Sequence, residues 1–293
     1  MPKQSFKLGL ELRKAKKKLI PSGVDAPRMD ADLMLSSVLK KDRVFVLTNP
    51  EYALTRKQSK KYRRLVRRRL GREPLAYILG HTEFFSLNFF VNKNVLIPRP
   101  ETELLVEQAL SHCTTHSSGK LSVLDIGTGS GNIIISIASN FPKAKFSAID
   151  SSAGALSIAR RNADFHGLTD KIRFLKGDLF APLKKLRRSK FDLIVSNPPY
   201  VALSDARTLQ PEVRRYEPRQ ALYAGRNGLL FIKRFLSEAH LHLNPGGMLI
   251  FEIGFGQANS VKEILESERR YDSIEFVNDF NNIPRIVKAR CYG

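Results

Sequence analysis

At 293 residues the chain can form one large or two ordinary domains, and 42% hydrophobic content is ample for a buried core. No apolar run approaches the ~18 residues of a bilayer-spanning helix, and lysines scattered through Leu8 to Ile20 interrupt any signal-peptide core, so a cytoplasmic protein with no membrane partner is expected. Cys113 and Cys291 are too few for a disulfide scaffold, Cys-His zinc spacings are missing, and the net charge of +21 sits mostly at one end, residues 1–75 holding 21 Lys or Arg against 7 Asp or Glu.

Such a basic end either steers nucleic acid, ribosomes or an acidic protein toward the chain or is the solvated face of helices. Leu8, Leu12, Ala15 and Leu19 recur at helical spacing with Arg13, Lys14, Lys16, Lys17 and Lys18 largely between them, which predicts a basic amphipathic helix. A second helix is expected from Pro27 to Leu39, with Leu33, Met34, Val38 and Leu39 inward. A third starts after Thr55 as N-cap, buries Tyr62, Leu65, Val66 and Leu70, carries seven Lys or Arg from Lys60 to Arg69 and closes at Gly71. Together they predict a small helical bundle over residues 1–80.

From Glu83 to Ile97 short aromatic and aliphatic runs, Phe84-Phe85, Leu87, Phe89-Phe90-Val91 and Val95-Leu96-Ile97, are broken by asparagines and predict a β-hairpin linker over 81–98. Pro98 to Glu103 opens a helix running to about His112, with acids in its first turn, and Ser111 to Lys120 reads as a polar connector into a domain spanning 99–293. His112, Cys113 and His116 can share a helix face, but a polar helix end accounts for them and no metal is expected.

Beyond Leu121 strands and helices alternate as in a parallel sheet covered on both faces. Strands are expected at Val123–Ile126, Phe146–Ile149, Ile172–Leu175, Phe191–Val195 and Met248–Ile253, with helices between them. Ile274–Val277 and Arg285–Ala289 are too close for a helical crossover and predict an antiparallel pair at the sheet edge.

Gly127-Thr128-Gly129-Ser130-Gly131 follows the first of these strands, where ligands bind in open α/β sheets. Its glycines let backbone approach a ligand. The spacing is not Gly-x-Gly-x-x-Gly, because Asn132 stands where the third glycine would be, and there is no Walker lysine. Asp150 ends the second strand, where a carboxylate can accept both hydroxyls of an adenosine ribose. Asp178 ends the third, where it can reach an adenine amino group with Leu179 and Phe180 near the ring or serve as a turn cap. Asn197-Pro198-Pro199-Tyr200 ends the fourth, a rigid polar stop after an apolar run.

With these residues the chain resembles the class I S-adenosylmethionine-dependent methyltransferases, whose Rossmann-like seven-stranded sheet also ends in an antiparallel hairpin. The resemblance implies that the glycine loop, Asp150, Asp178 and Leu179 bind S-adenosylmethionine, and that Asn197-Pro198-Pro199-Tyr200 marks enzymes acting on planar, conjugated nitrogens. In such a site Asn197 Oδ1 and the Pro198 carbonyl can each accept one N–H of a substrate NH2, and Tyr200 can pack on the flat group. Gly71 to Gly80, Glu83-Phe84-Phe85, Leu96 to Glu103, Tyr216-Glu217-Pro218, Ala221-Leu222 and Gly228 are similar to the bacterial peptide chain release factor glutamine methyltransferases. This narrower resemblance covers most of residues 71–293. It implies methyl transfer to the glutamine amide of a release factor's Gly-Gly-Gln loop, with class I release factors as partners and no need for direct nucleic-acid binding. It also implies Arg99, Pro100, Glu101 and Thr102 beside the cofactor and Phe85 or Phe89 in the glutamine pocket. Asn281 stands where that family has glycine, and Arg285 keeps its place. Glutamine methylation of a ribosomal protein and an inactive basic ribosome- or RNA-binding adaptor are the competing readings.

Overall fold

The computed structural model describes residues 6–116, 121–185 and 190–292. The chain divides into two compact units, one comprising the residues up to Gly80 together with Gln210–Tyr216, the other His81–Leu209 and Glu217 onward.

The first unit is helical. β1 (Phe6–Lys7) precedes α1 (Leu8–Leu19), α2 (Pro27–Leu39) and α3 (Arg43–Thr48); β2 (Ala53–Leu54) pairs back with β1, and α4 (Arg56–Leu70) and α5 (Leu75–Leu79) complete it. The three expected helices form, joined by two short ones that lack enough periodicity to be seen in sequence. Leu8, Leu19, Met34, Leu35 and Tyr62 are fully buried in its core. At the start of α4 Thr55 and Gln58 form a reciprocal capping box. Gln210–Tyr216 belongs here because Glu212 accepts hydrogen bonds from Arg69 (2.9 Å) and from Arg72 Nε and Nη2 (both 2.6 Å), while Tyr216 donates its hydroxyl proton to the Gly71 carbonyl at 2.7 Å.

The second unit begins with an antiparallel hairpin, β3 (His81–Phe84) and β4 (Leu87–Phe90). Val95 to Ile97, expected as strand, is irregular. It follows two asparagines, and the Ile97 N–H donates to the Glu217 carboxylate rather than to a ladder. α6 (Glu103–Thr115) runs further than expected, absorbing the start of the presumed connector, whose remainder from 117 to 120 lies outside the described residues. Then come β5 (Ser122–Ile126), α7 (Asn132–Asn140), β6 (Lys145–Asp150), α8 (Ala153–Phe165), β7 (Ile172–Lys176), β8 (Phe191–Ser196), α9 (Pro211–Tyr216, in the first unit), α10 (Leu230–Ala239), β9 (Leu243–Glu252), α11 (Ala258–Glu268), β10 (Tyr271–Asn278) and β11 (Pro284–Cys291).

The seven strands from β5 onward lie in the order β10-β11-β9-β8-β5-β6-β7, parallel from β9 to β7 and antiparallel for the last two, which places β11 inside the sheet and β10 at its edge. Alternate residues of β5 feed opposite faces. Val123 packs with α6, α7 and the hairpin's Phe84 and Phe89, and Leu124 and Ile126 pack with α10 and α11. The sheet order reverses direction between β5 and β8, so their carboxyl ends open side by side and the functional residues gather there.

Candidate active site

After Ile126 the chain turns through Gly127 (φ +75°) and Gly129 (φ +56°) into α7. The N–H groups of Gly127 and Thr128 donate to the Ile149 carbonyl at 2.9 and 3.0 Å, which locks the turn over β6. A Cβ on Gly127 would meet nothing within 4 Å, and one on Gly129 would come no nearer than 3.9 Å to any atom. Both glycines therefore answer to their left-handed backbone and to the open space above them, not to crowding. That space is a cleft lined by Gly127, Thr128, Gly129, Ser130, Asp150, Asp178, Leu179 and Asn197 among others. Gly131, at the start of α7, does not line it.

Asp150 points into this cleft from the end of β6. Its Oδ2 accepts the Gly129 N–H at 2.9 Å and its Oδ1 the Ser152 N–H at 2.8 Å. Burial raises its pKa and these two donors oppose the rise, so the carboxylate is aimed and each oxygen keeps a lone pair toward the cleft. Asp178 also lines the cleft, but its Oδ2 pairs with exposed Arg234 at 2.6 Å. Leu179 sits at φ +45°, a strained conformation for a branched side chain, beside it. Beneath the loop Asp125 Oδ2 accepts the Thr128 hydroxyl at 2.7 Å, while Oδ1 is buried without a partner; burial pushes this carboxyl up to about 7.

Asn197 lines the other side. Its Nδ2 donates to Thr102 Oγ1 at 2.9 Å, and the Thr102 hydroxyl donates to Glu252 Oε2 at 2.6 Å. The Tyr200 hydroxyl donates to Glu252 Oε1 at 3.1 Å. Among the described residues nothing donates to Asn197 Oδ1 or to the Pro198 carbonyl. Gln257 Nε2 clamps the Tyr200 carbonyl at 3.0 Å, and a Cβ on Gly228 would collide with that same carbonyl, so the backbone after the two prolines has little freedom. Arg99 donates to Glu217 Oε1 at 2.6 Å and lines the cleft with Thr102, whereas Pro100 and Glu101 are exposed away from it.

Three aromatic expectations are corrected. Phe89 is fully buried, its ring edge-on to Phe84 at 6.1 Å, because β4 turns it into the core beneath the hairpin. Phe85, in the tight turn at φ +50°, donates its N–H to Glu103 at 2.8 Å and packs on that core; neither reaches the cleft. Phe180 stacks on Phe235 and His242 at 5.9 and 4.7 Å, inside the opposite core. The His112 and His116 rings stack at 4.2 Å and Cys113 is buried; among the described residues no cluster of three or more His, Cys, Asp or Glu could hold a metal. Glu252 carries no role in the sequence reading and Asp125 only a place before the glycine loop, although an acid inside an apolar strand, as in Leu249-Ile250-Phe251-Glu252-Ile253, is the signal that points to them.

A family description of a methyltransferase domain matches residues 117–284, and one of the PrmC N-terminal domain matches residues 12–80. A release factor glutamine methyltransferase of Geobacter sulfurreducens is 43% identical over 93% of this chain and 92% of its own length. The chain belongs to the release factor glutamine methyltransferase family. Another member, from Chlorobaculum tepidum, is 41% identical over 89% of this chain and 90% of its own. Among solved structures, the 16S rRNA N2 G1207 methyltransferase of T. thermophilus, determined with AdoMet and guanosine, has a TM-score of 0.52 at 15% identity over 72% of this chain and 49% of that one, a likeness of fold. Among the described residues no helix is long and apolar enough to cross a membrane.

Proposed function

We propose that this chain transfers the methyl group of S-adenosylmethionine to the side-chain amide nitrogen of a glutamine in a class I peptide chain release factor, the residue of its Gly-Gly-Gln loop. The observation that carries the reading is Asn197 Oδ1, which no group among the described residues donates to, at the end of β8 on a cleft lined also by Gly127, Gly129 and Asp150.

The residues suit the cofactor. Glycines with open space above them admit a ligand to backbone contact, and a carboxylate with a free lone pair on each oxygen can take a vicinal diol. Asp150 would hold the ribose, Leu179 and Asp178 the adenine, and the loop from Gly127 to Ser130 the amino-acid end. When bound, S-adenosylmethionine supplies an electrophilic methyl on a positively charged sulfur.

An amide nitrogen shares its lone pair with its carbonyl and does not ionise near neutral pH. Asn197 Oδ1 and the Pro198 carbonyl would each accept one N–H of the substrate, which would orient the nitrogen lone pair and stabilise the positive charge that grows on nitrogen. With the group bound, the methylated nitrogen's now acidic N–H would stay hydrogen-bonded to the acceptor it faces, Asn197 Oδ1 or the Pro198 carbonyl, until water takes the proton. A strong base is unnecessary. Tyr200, tethered to Glu252, supplies a flat wall.

Radiolabelled S-adenosylmethionine incubated with the protein and, in parallel, intact release factor, ribosomal protein and duplex DNA tests this. Label is expected in the release-factor glutamine; label only on another acceptor overturns the assignment. Asn197→Ala should lower turnover by roughly 10²- to 10³-fold, the usual cost of one preorganised acceptor or donor, with cofactor affinity almost unchanged.

A further inference from the structure

Glu252 takes no part in the transfer as described above, yet it is a fully buried carboxylate linked to Asn197 through Thr102. It ends β9, is 1% exposed and does not line the cleft. A carboxylate buried there receives two hydroxyl protons, Thr102's on Oε2 at 2.6 Å and Tyr200's on Oε1 at 3.1 Å. The direction of the chain of hydrogen bonds follows from elementary donor counting. When ionised, the carboxylate only accepts, so the Thr102 proton is then committed to it and the Thr102 oxygen is left to accept. The one donor it meets among the described residues is Asn197 Nδ2, at 2.9 Å.

The two ends of the Asn197 amide have the same shape and opposite hydrogen-bonding character. With NH2 turned to Thr102, Oδ1 faces a substrate NH2 and accepts from it. Reversed, the site would set donor against donor. Nothing else in the structure distinguishes the two orientations, since Oδ1 has no donor of its own among the described residues.

We propose that Glu252 is a positioning residue that acts through Thr102 to fix the Asn197 amide with its oxygen toward the methyl acceptor, so that the site takes an NH2 donor. The same carboxylate holds Tyr200 by its second oxygen and thereby fixes both ends of the Asn197 to Tyr200 stretch. The proposal rests on the reading that Asn197 faces the accepting nitrogen.

Glu252→Gln keeps the shape but has one oxygen and one NH2 to share between Thr102 and Tyr200, so the Thr102 proton is no longer committed to position 252; the case that matters is the NH2 turned to Thr102. The hydroxyl then accepts from position 252, donates to Asn197 and favours the reversed amide. Turnover on release factor should fall by roughly 10²-fold, as for loss of one oriented polar contact, with S-adenosylmethionine affinity by calorimetry within about threefold and the urea midpoint not lowered. Thr102→Val should match it. Thr102→Ser, which retains the hydroxyl, should restore most of the activity. The double variant Glu252→Gln/Thr102→Val should be no slower than either single one, because both break the same relay.

Turnover within twofold of wild type in Glu252→Gln, multiplicative losses in the double variant, or Thr102→Ser as slow as Thr102→Val would overturn the relay. If Glu252→Gln folds poorly, the comparison of Thr102→Val with Thr102→Ser decides alone. Asn197→Ala run alongside separates the two levels. Full activity there sinks the reading of the site, whereas loss there with full activity in Glu252→Gln and Thr102→Val sinks the relay only.

Discussion

Asp150 is the residue on which cofactor binding should turn, and its geometry says how. Each oxygen already accepts one backbone N–H, so an alanine would strip partners from Gly129 and Ser152 as well as from a bound ribose. Hydrogen bonds to a charged group are worth about 1.5 to 3 kcal/mol each, and Asp150→Ala is therefore expected to weaken S-adenosylmethionine binding by roughly 10²-fold or more in a calorimetric titration. Asp150→Asn, which keeps one acceptor oxygen, should fall between. Cleft-lining residues of this kind are legible in sequence because each sits at a fixed place: directly after a strand, in a glycine-rich turn, or before paired prolines. Thr102 was recognised as a neighbour of the cleft but not as the group that orients Asn197. Glu252 was missed because its meaning comes from two hydroxyls, Thr102's and Tyr200's, distant along the chain. Phe85 and Phe89 erred for the complementary reason, since an aromatic run reports apolar surface and not which side of a hairpin faces a cleft.

Among elements, α4 shows what a run of charge conceals. Its seven basic residues from Lys60 to Arg69 look alike in sequence and separate in the fold. Arg69 is buried between Asp30 (2.6 Å) and Glu212 (2.9 Å), Arg63 pairs with buried Glu11 at 2.6 Å, and Arg68 pairs with Glu73. Lys60, Lys61, Arg64 and Arg67 are exposed and make no ion pair among the described residues. Removing one partner of a buried pair costs about 3 to 5 kcal/mol, so Arg69→Ala should lower the urea midpoint by unpairing Asp30 and one bond to Glu212. Reversing Lys60, Lys61, Arg64 and Arg67 to glutamate should leave that midpoint nearly unchanged. If these four steer an acidic partner, the reversal should slow release-factor association most at low salt; salt-independent, unchanged association would make them plain solvation. The C-terminal turn makes a similar point. Asn281 needs no glycine-like backbone, because it is Asn282 that adopts the left-handed conformation (φ +60°) while Asp279 accepts the N–H of Asn281 and Ile283. The periodic helices and strands were readable, whereas Val95 to Ile97 looked like strand only because composition does not reveal where a backbone N–H finds its acceptor, here Glu217.

For the molecule as a whole, burial of ionisable groups predicts how stability depends on pH, with opposite signs from two residues. Burial pushes Glu252 up to about 7, against the opposing hydrogen bonds of Thr102 and Tyr200 and the nearby charge of Arg285. In the unfolded chain it titrates near 4.5, so between those values the folded state binds more protons, and stability is lost as pH rises through the window. His112 runs the other way. Burial, with His116 alongside, lowers it to about 4 from an ordinary 6.5, so the unfolded state binds more protons there and stability is lost as pH falls through that window. Urea melts of the cofactor-free protein across pH should separate the two. Glu252→Gln removes the first slope, and its stability relative to wild type should grow by up to about 3 kcal/mol between pH ~4.5 and pH ~8. His112→Asn removes the second, gaining relative to wild type as pH falls from ~6.5 to ~4. A Glu252→Gln difference that stays flat across the neutral range would mean that Thr102 and Tyr200 keep the carboxylate ionised throughout. The amide relay would then hold its direction at every pH where the enzyme is folded.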